Sequence, residues 1–243
     1  MALRRTPLLD AALDRAVTIP SATIHAHVAA VRRKHPDATP AEVVGVLERE
    51  YLLVVQGTGG AVGAAAAAPA VGTGVALALT VGDVATFFGA SAAFALAVAS
   101  VHGIEVQDAD RRRALLLATI LGESGAKTVA DAGTLTGLRG LNVARALLTR
   151  MPTGTIRRVN ARLTRQLLKR QLAKQSGLAI GRLAPFGIGA VIGVTGARAL
   201  GRTVVRGARD AFGPAPVAWD GGRVVVVETG DAPRLLEQPP REP

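Results

Sequence analysis

In the first part of the chain, apolar residues recur at the spacing of a helix, and prolines divide the pattern into segments. The strongest local signal is a capping box, in which Thr39 caps a helix, Pro40 takes its first position and Glu42 returns a hydrogen bond to the cap. We therefore predict a helical lead-in over residues 1–56.

A block at residues 57–101 has a different pattern, with eight glycines and one charged residue, Asp83. Apolar pieces of 21 and 18 residues, Ala61–Val81 and Val84–Val101, flank this acid and have the length of about 17–25 residues that a bilayer-spanning helix needs. The second piece has few strongly apolar side chains, so its insertion is favourable by only about 2–4 kcal/mol. The pattern predicts a helical hairpin that either contacts or enters a membrane, or forms the core of a soluble bundle.

Asp83 is the candidate hairpin acid. We expect it to cap a helix or to form the turn between two apolar helices. The alternative is a functional acid in a membrane or a pocket, where burial would shift its pKa.

The clearest amphipathic pattern runs from Thr155 to Gln175. Its apolar stripe consists of Val159, Leu163, Leu167, Leu168 and Leu172. Its candidate anionic-surface contacts are Arg157, Arg158, Arg162, Arg165, Lys169, Arg170 and Lys174. Such a helix fits two partners: a membrane, with leucines in the interface and cations on anionic lipid, or a nucleic acid, whose phosphates it would follow. The alternative is an ordinary surface helix of a basic protein.

After this helix comes a second glycine-rich run, Leu183–Ala197, whose 15 uncharged residues are too few for an ordinary membrane span. A helix with four arginines follows it. Residues 217–227 predict a small β-hairpin with an Asp-Gly turn, and residues 231–243 have the composition of a disordered tail. The predicted fold class is all-α: a helical bundle with a central Gly/Ala-rich apolar hairpin and a small C-terminal β-hairpin.

The net charge of +11 is unevenly distributed, because the segment from Ala132 to Arg209 contains 15 Lys or Arg and no Asp or Glu. A region with one sign of charge predicts an anionic partner: lipid head groups, nucleic acid or an acidic protein. If the apolar block inserts, the triplet Arg111-Arg112-Arg113 lies beside its exit, as expected for a cytoplasmic end. The N-terminal segment has no apolar signal-peptide core, so we expect a protein that is not secreted.

The sequence contains few residues in a pattern that indicates a catalytic, metal-binding or phosphate-binding site. His25 and His27 are two residues apart, which places them on different faces of a helix, unlike the ligand pair of a zinc helix. The glycine cluster at residues 57–63 lacks the Lys-Ser/Thr ending of a phosphate loop, and there is no cysteine. We therefore assign no catalytic residue, metal ligand or cofactor.

The order of the motifs resembles that of the EcsC family. In the first half, the glycine cluster at 57–63 is followed by Pro69, Asp83 and an arginine-led helix that ends near Gly122. The later half has Met151-Pro152, Asn160 in a basic helix, the run Ala184–Gly193 and a helix that ends in Ala208-Arg209-Asp210-Ala211-Phe212. The resemblance covers about residues 40–213.

Two positions depart from the family pattern. Many members carry an acidic residue after the second glycine run, where this chain has Thr195-Gly196. A Thr-Lys-x-Gly-like stretch appears here only as residues 173–177. The resemblance implies a helical bacterial protein of poorly defined role, in a family named after a gene linked to an ABC transporter.

The predicted chain has three parts: a lead-in (1–56), an EcsC-like core (57–213) and a C-terminal hairpin and tail (214–243). Three hypotheses about its function follow. The first is a non-enzymatic protein on the cytoplasmic face of the bacterial membrane, whose partners are anionic lipids or a membrane protein. The second is a soluble, cytoplasmic helical adaptor. The third is a basic nucleic-acid binder. It is the weakest hypothesis, because no nucleic-acid motif or group of stacking aromatics accompanies the basic helix.

Overall fold

The computed structural model describes residues 7–66, 73–132, 147, 151–178, 188–219, 223–227 and 234–237. Its helices are α1 (Pro7–Val17), α2 (Ser21–Lys34), α3 (Pro40–Ala66), α4 (Thr73–Val101), α5 (Ala109–Leu121), α6 (Glu123–Ala132), α7 (Thr153–Leu178) and α8 (Ile188–Phe212). Its strands are β1 (Ile104–Val106), β2 (Arg223–Val227) and β3 (Arg234–Glu237). The described residues are mostly helical, which confirms the predicted class.

Two helices form the centre of the bundle. α4 packs against α1, α2, α3 and α5, and its second half, from Phe94 to Ala99, is buried. α5 is covered on almost every side and buries Leu115, Leu116 and Leu117 in succession. α7 and α8 both pack against α5.

The capping box at the start of α3 is confirmed. The Thr39 backbone N–H donates to Glu42 Oε2 over 2.8 Å, and the Glu42 backbone N–H donates to Thr39 Oγ1 over 3.3 Å. These hydrogen bonds from Thr39 hold the pKa of the Glu42 carboxyl below its ordinary value. α3 then continues through residue 56, where the composition changes.

α3 and α8 run antiparallel and close together. A methyl group added at Gly60 would lie 2.8 Å from Val194 Cγ2, and one at Gly201 would lie 2.8 Å from Leu52 Cδ2. The two glycine-rich parts of the sequence therefore meet where small residues permit a close approach of the helices. Gly57, by contrast, has open space around its Cα.

The expectation that Asp83 separates two apolar helices is wrong. α4 runs from Thr73 to Val101 without a break at residue 83, because one aspartate does not interrupt the backbone hydrogen bonds of a helix. The first apolar piece, Ala61–Val81, is instead divided between α3 and α4. Residues 67–72, between these helices, lie outside the described part. The side chain of Asp83 also lies outside it.

Within the described residues, one segment is long and apolar enough to cross a membrane: Val84–Val101, of which 56% is buried inside the protein. Its buried side chains include Phe88 and Val98, which belong to the core of the bundle. Length and composition therefore fit a core helix as well as a membrane span.

The strands form one sheet in the order β1-β2-β3. β1 pairs in parallel with β2, with Ile104 opposite Val225, and β2 pairs antiparallel with β3, with Val226 opposite Arg234. The predicted hairpin needs a strand before the turn at Asp220-Gly221, but Val217–Trp219 is not a strand. Residues 220–222 lie outside the described part. Residues 234–237, predicted to be disordered, are β3.

Candidate anionic-surface site

α7 carries the predicted basic site, and its apolar side faces the protein. Val159, Leu163 and Leu167 are buried, on a helix that packs against α5 and α6. The expectation that these leucines lie in a lipid interface therefore does not fit this fold, since the protein's own core covers them. Leu168 is half-buried, and the side chain of Leu172 lies outside the described part.

Four of the seven predicted cations form a stripe along the opposite side of α7. Arg158, Arg162, Arg165 and Lys169, here called the basic stripe, are exposed. Their spacing of four, three and four residues keeps them on one face of the helix over about 16 Å. None of the acidic residues that the structure describes forms an ion pair with them.

The other predicted cations differ in their surroundings. Arg157 is 3.3 Å from the Asp110 carboxylate. Arg170 donates to the Leu121 carbonyl over 3.0 Å and to Ser124 Oγ over 2.7 Å. Both side chains flank the basic stripe but are tied to α5 and the start of α6, and the side chain of Lys174 lies outside the described residues.

The arginine triplet at the start of α5, expected beside a cytoplasmic end if the apolar block inserts, binds groups of the protein itself. Arg111 is buried and donates to the carbonyls of Leu147 and Met151 over 3.1 and 2.9 Å. Arg113 forms ion pairs with Asp14 at 2.6 Å and with Asp10 at 2.8 Å.

Arg112 connects α5 with the segments around α1, α2 and β1. It is buried and donates to the carbonyls of Val106, Val17 and Ile19 and to Ser21 Oγ. Burial lowers the pKa of its guanidinium, and the charge of Glu105 opposes that shift. A buried guanidinium stays charged, so its hydrogen bonds must be satisfied by the fold.

A polar cluster that sequence reasoning missed joins α2, α4 and β1. His25 Nδ1 is 3.0 Å from Ser100 Oγ, and His25 Nε2 is 3.3 Å from Glu105 Oε2. Ser100 lies in the last turn of α4, at the negative end of the helix dipole. The cluster links three elements, and its members are too far apart in sequence to form a local motif.

A second missed group lines a small cleft between α3, α4 and α8. The Glu48 carboxylate is buried and accepts two hydrogen bonds from Arg209, at 2.6 and 2.5 Å. This pairing raises the pKa of the Arg209 guanidinium. His102 Nδ1 lies 2.9 Å from the Val98 carbonyl, while Nε2 is buried without a partner among the described residues. The cleft, of about 20 Å³, has room for one water molecule.

Comparison with known proteins gives no match to a protein-family model, and no significant match among curated proteins or solved structures. The resemblance to the EcsC family therefore stays a prediction.

Proposed function

We propose that this protein is a non-enzymatic, EcsC-like bacterial protein that associates with the cytoplasmic face of the membrane by binding anionic lipid. The observation that carries the proposal is the basic stripe, whose four exposed cations have no described ion-pair partner. They also lie in a segment of 78 residues without an acidic residue, counted from Ala132 to Arg209.

Electrostatics gives the binding its expected strength and salt dependence. Each cation near an anionic leaflet contributes about 1 kcal/mol, so the basic stripe supplies about 4 kcal/mol at low salt. This attraction decays within about 8 Å at physiological ionic strength. Because the apolar side of α7 is buried, the stripe supplies attraction without inserting leucines.

Peripheral association fits this fold better than a spanning helix. The segment Val84–Val101 is packed among α1, α2, α3 and α5, so transferring it to lipid would uncover the centre of the bundle. The free energy lost from that core would exceed the roughly 2–4 kcal/mol that insertion offers.

Co-sedimentation with lipid vesicles tests the proposal. The protein is mixed with vesicles of phosphatidylcholine alone or with added phosphatidylglycerol, at low and high salt. We expect binding only to the anionic vesicles. Changing all four stripe residues to Gln should weaken it by at least about tenfold.

A matched control separates the stripe from net charge. Four exposed cations on helices other than α7 serve here, namely Arg15, Arg33, Lys34 and Lys127, and changing all four to Gln removes the same charge. This variant should keep most of the binding. Equal losses in both variants, or a wild-type protein that ignores anionic vesicles, would refute the proposal.

A soluble helical adaptor is the second candidate, favoured by the burial of Val159, Leu163 and Leu167 on α7 and of 56% of Val84–Val101. Under this hypothesis the protein stays in the soluble fraction of native cells at low salt. Under the first hypothesis it sediments with membranes at low salt, and a high-salt wash releases the protein that only the basic stripe holds.

A further inference from the structure

The α3–α8 pair has an inner and an outer side that its contacts define. On α3, Leu52 faces Gly201 of α8, while Tyr51 faces α4, where its ring stacks on Phe94 at 4.9 Å. On α8, Gly207 faces α5, since a methyl group there would lie 2.2 Å from the Thr119 carbonyl oxygen. The outer side is the one turned away from α4 and α5.

One large aliphatic residue lies on the outer side of α3. Successive residues of a helix are rotated by about 100°, so Leu53 points away from the direction of Tyr51. Leu53 is 69% exposed, so its side chain is free to contact a second surface. Arg49, one turn earlier on the same side, is exposed as well.

Two arginines of α8 lie at the level of this leucine. Because the helices are antiparallel and Leu52 lies opposite Gly201, Arg198 and Arg202 flank that level one turn apart, and both are exposed. By helical rotation they share the outer side of the pair with Leu53. We call Arg49, Leu53, Arg198 and Arg202 the leucine–arginine patch.

The charge of this patch is not neutralised by the described acids. Glu48, on the neighbouring turn, is held by Arg209, and Glu50 lies 2.9 Å from His27. No ion pair of Arg49, Arg198 or Arg202 exists among the residues that the structure describes. Beyond the patch, residues 57–66 of α3 and 188–197 of α8 contain no charged residue.

We infer that the leucine–arginine patch is a second membrane contact, which inserts Leu53 into the interface while its arginines bind lipid phosphates. The inference rests on the proposed function and adds a hydrophobic component to it. An anionic bilayer is the occupant that matches both parts of the patch, because it offers phosphates to the guanidinium groups and apolar volume to the leucine. Nucleic acid would use only the arginines.

The two contacts respond differently to salt. Ions screen the attraction between the basic stripe and lipid, whereas insertion of an aliphatic side chain depends on burial of apolar area. The patch therefore predicts that part of the membrane-bound protein survives a high-salt wash.

A tryptophan reporter tests the insertion directly. Trp219 is the only tryptophan, so Trp219→Phe gives a background without indole fluorescence. In that background Leu53→Trp reports on the patch, and Val217→Trp, at a site 98% exposed beyond α8, is the matched control. With phosphatidylglycerol vesicles we expect blue-shifted emission and quenching by brominated acyl chains for the Leu53→Trp protein alone.

A second measurement avoids any effect of Trp219→Phe on folding. Leu53→Asn in the otherwise unchanged protein should lower the fraction that stays on vesicles after a high-salt wash by about tenfold, and Val217→Asn should not.

The outcomes separate this inference from the proposal beneath it. Normal co-sedimentation at low salt, with an unquenched indole in the Leu53→Trp protein and no effect of Leu53→Asn, overturns the second contact and leaves the basic stripe intact. Absence of wild-type co-sedimentation at low salt overturns both.

Discussion

Tyr51 shows at the scale of a single residue how this core accommodates polar atoms. Its ring stacks on Phe94, and its hydroxyl lies 2.9 Å from the hydroxyl of Ser91, which is fully buried. Each hydroxyl satisfies the other, so neither requires water inside the bundle. Burial raises the pKa of Tyr51 to about 12, and the hydrogen bond from Ser91 opposes this shift.

We expect alkaline pH to destabilise the fold through this residue. Its pKa is about 10 in the unfolded chain and about 12 in the native state, so the stabilisation is complete below pH 10 and is lost as the pH rises toward 12. A shift of this size corresponds to about 2–3 kcal/mol. Because the chain has one tyrosine, no second phenol contributes to the absorbance change near 295 nm that follows its ionisation.

The Ser91→Ala variant serves as the comparison for that titration, since it removes the hydroxyl that favours the ionised form. It should keep a raised tyrosine pKa. A wild-type tyrosine that ionises near pH 10 while far-UV circular dichroism stays native would contradict the assigned burial.

At the scale of elements, the packing of α8 requires a glycine at each of two positions where it crosses a neighbouring helix. Gly201 admits Leu52 of α3, and Gly207 admits the end of α5. At Gly207 the contact is with backbone, the Thr119 carbonyl and Gly122 Cα, which cannot rotate away as a side chain can. The helix is therefore fixed between α3 and α5 by steric fit.

We expect Gly207→Ala to lower the free energy of unfolding by about 3 kcal/mol, because its methyl group would overlap the Thr119 carbonyl oxygen. Gly45→Ala, in the interior of α3 with nothing within 4 Å, should raise it by about 0.5–1 kcal/mol through helix propensity. Thermal unfolding followed by circular dichroism compares the two. Similar midpoints for both variants would show that α8 does not approach α5 this closely.

The sequence pattern predicts those features of the fold that depend on residues close together in the chain. The capping box needs only Thr39 and Glu42, three residues apart, and the basic stripe follows from the helical spacing of its cations. Periodicity also identified the apolar side of α7, but it cannot say whether lipid or α5 covers that side. The inward orientation of Arg112 cannot be predicted from the sequence pattern either, because its partners, the carbonyls of residues 17 and 19, are distant in sequence.

At the scale of the whole molecule, the C-terminal segment holds distant parts together. Trp219 Nε1 donates to the Ala38 carbonyl over 3.1 Å, and the Arg32 guanidinium lies 4.0 Å above the indole ring. β2 pairs with β1, the short strand between α4 and α5. The segment after α8 thus connects the turn between α2 and α3 with the centre of the bundle.

We expect truncation after Gly213 to lower the melting midpoint by about 4–10 °C, since it removes β2, β3 and the Trp219 contacts at a cost of about 2–4 kcal/mol. Truncation after Glu237 keeps all of these contacts and is the matched control. Differential scanning calorimetry measures both. An unchanged midpoint in the shorter protein would show that the segment adds no stability.

The pairing of α3 with α8 also sets an order of events during synthesis. The Glu48–Arg209 contact joins residues 161 positions apart. At about 5–20 residues per second, the ribosome needs roughly 8–30 s to make the chain between them. Until α8 emerges, the side of α3 that carries Leu52 and Val55 has no cover. This contact is thus among the last long-range contacts to form, and a chain released early would expose an apolar helix to aggregation.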